Sequence, residues 1–179
     1  MKIHSVKFNF IMNFIMAASS IVFPLITFPY VSRVLMAAGN GKVATASAVI
    51  TYFNMFASLG IPTYGIRACA KVRDDKDKLS QTVQELLIIN SVTMFITCVA
   101  FVFTVVFIPE FAAEKELYVI NGIGMVLNMF AITWLYNSLE QYAYITICNL
   151  LVKVVSLVLM FLLVRNPDDY IIYGGITVF

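Results

Sequence analysis

The sequence predicts an all-α fold, a polytopic transmembrane helix bundle, on three observations. Apolar residues make up 61% of the 179 and charged residues only 12%, about half the charge of an ordinary soluble domain. Charge-free apolar runs of membrane-spanning length recur along the chain. Polar side chains inside those runs fall at helical spacing. A soluble fold of this size leaves too much of its area in contact with water to hide such a surplus, so the surplus faces lipid.

The runs define the elements in order. A crossing helix needs about 20 apolar residues. Runs 8–32, 43–66, 86–109 and 117–139 meet that length without a charge, and 142–164 meets it with Lys153 as its only charge. A sixth run, 170–179, is half a crossing. A helix ending inside hydrocarbon strands its carbonyls, so the sequence is expected to be the N-terminal bundle, residues 1–179, of a longer chain, with five complete helices and a truncated sixth. The first run follows Lys2 and Lys7 like a signal peptide, but continues through Ile21-Val22-Phe23 to Tyr30. That is longer than a signal core, and it reads as a retained helix.

Lys and Arg in the short connections set orientation. Lys2, Lys7, Arg67, Lys71, Arg73, Lys76 and Lys78 give seven positive residues on one side; Arg33, Lys42, Lys115 and Arg165 give four on the other. The bias predicts a cytoplasmic amino terminus. Net charge of +2, without a basic patch carrying interleaved aromatics, points to no nucleic-acid partner.

Each run carries one polar seam. The seams are Asn9, Asn13, Ser20 and Thr27; Ser47, Thr51, Asn54 and Ser58; Asn90, Thr93, Thr97 and Thr104; Asn121, Gly124 and Asn128; and Thr146, Asn149, Lys153 and Ser156. Two readings stand: helix–helix contacts, where small and polar residues permit close approach, or a shared polar interior for a hydrophilic cargo. Lys153 lies about eleven residues from either end of its run, where a charge costs at least about 2.5 kcal/mol. It either snorkels to an interface or faces a cavity that receives an anion. Arg33, just beyond Pro29, either lines the same cavity or anchors at the headgroups. Glu140 reads as a solvated helix end, and Trp134, Tyr136, Tyr142 and Tyr144 as an aromatic belt. Pro24 and Pro29 interrupt the first run, and Gly60-Ile61-Pro62 with Gly65 breaks the end of the second.

Catalytic chemistry is not indicated. The chain holds no GxxxxGK[ST], HExxH or GxSxG, its one histidine is His4, and Cys69, Cys98 and Cys148 form no CxxC pair. The sequence therefore predicts neither an enzyme nor a metal site, and no cofactor.

Phe28-Pro29-Tyr30-Val31-Ser32-Arg33-Val34-Leu35, Gly41-Lys42-Val43, Tyr52-Phe53 and the run from Leu59-Gly60-Ile61-Pro62 to Gly65-Ile66-Arg67 resemble the opening of the polysaccharide flippases. Trp134-Leu135-Tyr136, Leu139-Glu140, Tyr142-Ala143-Tyr144-Ile145 and Pro167-Asp168-Asp169-Tyr170 fit the same pattern. These flippases form the oligosaccharide-flippase branch of the multidrug/oligosaccharidyl-lipid/polysaccharide exporter superfamily. The chain departs from the pattern at Met36-Ala37-Ala38, where relatives usually carry Gly-Pro-Glu or similar. The resemblance implies the first of two helix bundles around a cationic cavity. It implies alternating-access movement of undecaprenyl-pyrophosphate-linked oligosaccharide across the bacterial cytoplasmic membrane, with a polysaccharide polymerase as a further partner. Arg33 and Arg67 match the family's recurrent arginines by position. Together with Asn54, Asn149 and Lys153 from the seams, they are the candidate substrate-binding residues. Other readings are a cation-coupled drug exporter of the same superfamily, which would want membrane-embedded carboxylates, and a non-transporting scaffold subunit.

Overall fold

A computed structural model describes residues 6–178; Lys2 and His4 lie outside the described residues. Nine helices and one 3-10 turn account for nearly all of them, with no strand among the described residues. Helix α1 spans Val6–Val34, α2 Met36–Ser58, α3 Ile61–Lys71, α4 Lys76–Phe107 and α5 Pro109–Ala112. Then follow α6 Lys115–Met129, α7 Thr133–Ser138, α8 Tyr142–Leu163, the turn Pro167–Asp169, and α9 Tyr170–Thr177. Five spans are long and apolar enough to cross a membrane: Lys7–Val34, Met36–Lys71, Lys76–Phe107, Lys115–Ser138 and Tyr142–Leu163. Large apolar side chains such as Phe10, Phe95, Phe107 and Leu151 are at least 60% exposed, a surface that hydrocarbon covers and water does not. The chain is an all-α, multi-pass membrane bundle.

Local chemistry moves several helix ends from where hydropathy alone puts them. The second helix begins at Met36, seven residues before Val43, because the reversal after α1 is completed at Leu35 and Met36, the latter with φ 54°. The small residues after it permit this close turn. A Cβ at Gly39 would lie 3.2 Å from Leu35 Cβ and 3.4 Å from the Pro167 carbonyl. Helix α4 begins ten residues before Leu86 because Asp75 caps it, Oδ1 accepting from the Lys78 N–H at 3.2 Å. Its 32 residues reach about 48 Å, so it projects beyond a hydrocarbon core of about 30 Å.

Two crossings are interrupted. The second breaks at Leu59 and Gly60, both left-handed (φ 41° and 74°), and Pro62 then opens α3 in its first turn. The fourth, expected as one run over 117–139, breaks between Met129 and Thr133. No glycine or proline stands there. Packing accounts for the break: α7 lays Trp134 against Gly65 so closely that a Cβ on that glycine would sit 2.7 Å from the indole. Ile61, Cys69 and Leu86 complete this cluster. Arg73 pairs with Glu140 at 3.1 Å across the same end, so Glu140 is tied to α3–α4 through that loop, although it remains partly exposed.

Helix α2 runs through the middle, burying Val43, Ala46, Ile50 and Ala57 against Met94 and Phe101 of α4 and Leu117, Tyr118 and Met125 of α6. Helices α1 and α8 run parallel. The Thr146 hydroxyl donates to the Met12 carbonyl (3.1 Å), Lys153 Nζ to Ser19 Oγ (2.8 Å) and the Tyr30 hydroxyl to the Val164 carbonyl (2.8 Å). All three pairs share a sequence offset of 134 residues. Steps of 7 and 11 residues separate them, close to two and three whole helical turns, which keeps one face of each helix on the other.

Candidate functional site

Hydroxyls on α1 prepare a seat for the lysine on α8. Ser19 Oγ donates to the Met16 carbonyl at 2.7 Å and Ser20 Oγ to the same carbonyl at 3.1 Å. Their lone pairs then accept two N–H groups of Lys153 Nζ, at 2.8 and 3.0 Å. The ammonium has three N–H donors, so one is left for another acceptor. No acidic side chain among the described residues pairs with it. Phe23 offers its ring 5.9 Å away, a weak further attraction for a cation. Four residues on from Ser20 stands Pro24, which supplies no N–H to the Ser20 carbonyl and leaves that acceptor without its helical donor.

This arrangement opens on a groove of about 380 Å³ between α1, α8 and α9. Its polar side chains are Ser20, Thr27, Lys153, Ser156, Tyr173 and Thr177. Lys153 sits midway along α8 (Tyr142–Leu163), a helix long and apolar enough to cross a membrane, beside hydroxyls. An ammonium with no described acid beside it, held by hydroxyl oxygens that accept from it, is suited to receive an anion.

Asn54 belongs to a different place. It lies with Asn90 and Asn128 on a polar cavity of about 90 Å³ where the breaks of the second and fourth crossings face each other. It also lies with Ser47, Thr51, Asn121 and Asn128 on an adjoining cleft of about 160 Å³. Thr177 lines both this cleft and the Lys153 groove, so α9 is the wall between them. Asn149, one turn before Lys153, donates to the Ile145 carbonyl of its own helix at 2.9 Å. Arg33 and Arg67 are exposed at the end of α1 and on α3, and neither lines the Lys153 groove. On α3 the buried side is Ile61, Gly65 and Cys69, which turns Arg67 outward.

The seams divide between the two uses their composition permits. Thr93 bonds across to the Ala57 carbonyl at 2.7 Å and Thr146 to Met12, as helix–helix contacts. Asn121, nearly fully buried, donates to the Leu117 carbonyl of its own helix at 2.8 Å. Ser20, Thr27, Ser156 and the Asn54 group line open space. Ser19 is the residue that periodicity passes over. It lies one position off the Asn9–Asn13–Ser20 seam, and its pairing with Lys153 depends on how α1 registers against α8.

A second lysine site lies at one end of the bundle. Lys42 of α2 forms an ion pair with Glu114 at the start of α6, and its ammonium stands 4.6 Å above the ring of Tyr170. The Tyr170 hydroxyl donates to Glu114 Oε2 at 2.7 Å. Hydrogen bonds from Lys42 first, then from Tyr170, hold the Glu114 carboxyl below its ordinary value. Asp169, just before α9, is likewise held low by backbone N–H groups of Arg165 and Asn166. These contacts fasten the start of α9 to α2 and α6.

Residues 6–179 match the family described as "Polysaccharide biosynthesis protein". The chain is 25% identical over 172 residues to a protein of Escherichia coli K12 named "Putative O-antigen transporter", covering 96% of this chain and 41% of that protein. It is 23% identical over 168 residues to a protein of the same name from Shigella dysenteriae, covering 92% of this chain and 41% of that one. The chain thus spans about two-fifths of the length of these relatives. No solved structure matches it. With the matched family running from the first turn of α1 to the last residue, this membrane bundle belongs to the polysaccharide biosynthesis protein family.

Proposed function

We propose that the chain supplies one bundle of a flippase that carries undecaprenyl-pyrophosphate-linked oligosaccharide from the cytoplasmic to the periplasmic leaflet, without catalysing a covalent step. The observation that carries this reading is Lys153: a mid-membrane ammonium held by Ser19 and Ser20, unpaired with any described acid, over an open groove. A charge in that position costs several kcal/mol, and it persists where it meets a counter-charge or water. A pyrophosphate supplies the counter-charge, and Ser156, beside Lys153 in the groove, supplies a hydroxyl for one of its oxygens. The named function of the two relatives, O-antigen transport, supports the same cargo class.

In this reading the chain sits in the cytoplasmic membrane with its amino terminus inside, as the excess of Lys and Arg on that side supports. The lipid-linked sugar is its substrate, and a polysaccharide polymerase is the downstream partner. Asn54, with Asn90 and Asn128, forms an uncharged polar lining suited to sugar hydroxyls. Arg33 and Arg67, outside the groove, act at its approaches. Asn149 holds the turn below Lys153.

The test is complementation. The full-length gene is expressed in a bacterium lacking its own polysaccharide flippase, and surface polysaccharide is assayed. Restoration by the natural sequence and loss with Lys153→Glu is the expected result. Undiminished polysaccharide with Lys153→Glu would remove the role given to that cation. New drug resistance without polysaccharide would favour the exporter reading instead.

A further inference from the structure

The groove that holds Lys153 does not end at its polar side chains. Through Val152, Ser156 and Ile176 it shares walls with a second groove of about 490 Å³, cut between α8 and α9. Leu151, Val155 and Leu159 form one stripe of this second groove at i, i+4 and i+8 on α8, and Ile172 closes it from α9. Gly175, with no side chain, leaves its floor open. Ser156, at the junction, is the one hydroxyl in that lining. The stripe passes Lys153 and continues to Leu159, six residues and about 9 Å further along α8.

The two grooves lie side by side along the same stretch of α8, one holding a cation with hydroxyls and the other an almost wholly apolar lining. A water-soluble anion would leave the apolar half unused, and an uncharged bilayer lipid would leave Lys153 without its counter-charge. An anionic phosphate attached directly to one long hydrocarbon chain satisfies both. We propose that the α8–α9 groove holds the phosphate-proximal stretch of a polyprenyl chain whose pyrophosphate meets Lys153, so that carrier lipid and headgroup are gripped by one helix. This rests on the reading of Lys153 given above, and it adds which helices embrace the lipid and on which side of α8 the chain runs. Ser156 marks the boundary, with its hydroxyl toward the phosphate and its neighbours Val152 and Val155 toward the chain.

The experiment uses the full-length protein in lipid nanodiscs, with two probes: inorganic pyrophosphate and a long-chain polyprenyl pyrophosphate. Leu159→Trp and Ile172→Trp fill the groove with bulk on positions already exposed to apolar surroundings. Each should weaken polyprenyl pyrophosphate binding about tenfold, the equivalent of losing burial of a few methylenes, and leave inorganic pyrophosphate binding unchanged. Val154→Trp, exposed on α8 outside both linings, should change neither. Leu159→Ala, which widens the groove and is the milder change, should weaken only the polyprenyl ligand. Unchanged polyprenyl affinity in both tryptophan variants, or equal weakening of both ligands, would overturn the groove assignment. Lys153→Met separates the two layers of argument. It should weaken both ligands, and if inorganic pyrophosphate binds it as well as it binds the natural protein, the reading of Lys153 itself falls.

Discussion

Lys42 and Lys153 are the same side chain put to opposite uses. Lys42 stands near the beginning of α2 with a carboxylate in contact, a tyrosine ring beneath it, and that tyrosine's hydroxyl on the same carboxylate. Its charge is answered from within the bundle, and the contact joins α2, α6 and α9. Lys153 stands at mid-depth with two serine hydroxyls and no described acid. Hydroxyls orient an ammonium without neutralising it, so its charge remains available. The paired cation is part of the scaffold; in the proposed flippase the unpaired one, held in place by neutral groups, is the part addressed to the passing substrate.

The comparison breaks most decisively at Lys153. Lys153→Met should abolish surface polysaccharide while raising the thermal stability of the purified full-length protein. It removes a charge whose insertion costs at least about 2.5 kcal/mol at a helix centre. A stability loss in place of a gain would mean that Lys153 is scaffold like Lys42. Next in size, Ser19→Ala with Ser20→Ala should leave the charge but lose its orientation, lowering transport about tenfold, the worth of one or two hydrogen bonds to a charged group. Transport equal to that of the natural sequence would show that the ammonium finds its place without them. Lys42→Met should do the reverse of Lys153→Met, lowering the unfolding temperature with transport retained at moderate temperature.

The smallest effect is with pH. The Glu114 carboxyl lies below its ordinary value in the folded bundle, so the contact contributes fully above the unfolded value of about 4.3 and is lost as pH falls through the lower, folded value. Thermal stability should therefore be flat through the neutral and mildly acid range and decline below it, with a shallower decline in Glu114→Gln. Equal declines in the two proteins would remove Glu114 from the account.

Much of this was legible in the residues, and what was not has identifiable causes. Charge-free runs mark the helices because hydrocarbon tolerates little else. Lys153 stands out for the same reason, since it is the one charge inside the fifth run. The break after α2 is signalled by Gly60 and Pro62. The break after α6 carries no such signal, because the packing of Trp134 on Gly65 sets it, and that contact joins residues 69 positions apart. The early start of α2 is hidden behind small residues that hydropathy scores as neutral. Ser19 is out of reach for a related reason: a seam shows which residues share a face of one helix, not which face of another helix it meets. Arg33 and Arg67 stand out in the sequence as cations beside motifs; both are exposed, and neither lines the Lys153 groove.

The constant offset of 134 residues between α1 and α8 is also an interval of time. At about 5–20 residues per second, roughly 7 to 27 s separate the synthesis of Ser19 from that of Lys153. Throughout that interval α1 must wait in or beside the insertion machinery without the α8 partners of Ser19 and the Met12 carbonyl, while three intervening crossings are placed. The lysine-bearing helix then arrives with the more expensive side chain, and the serines are already there to receive it.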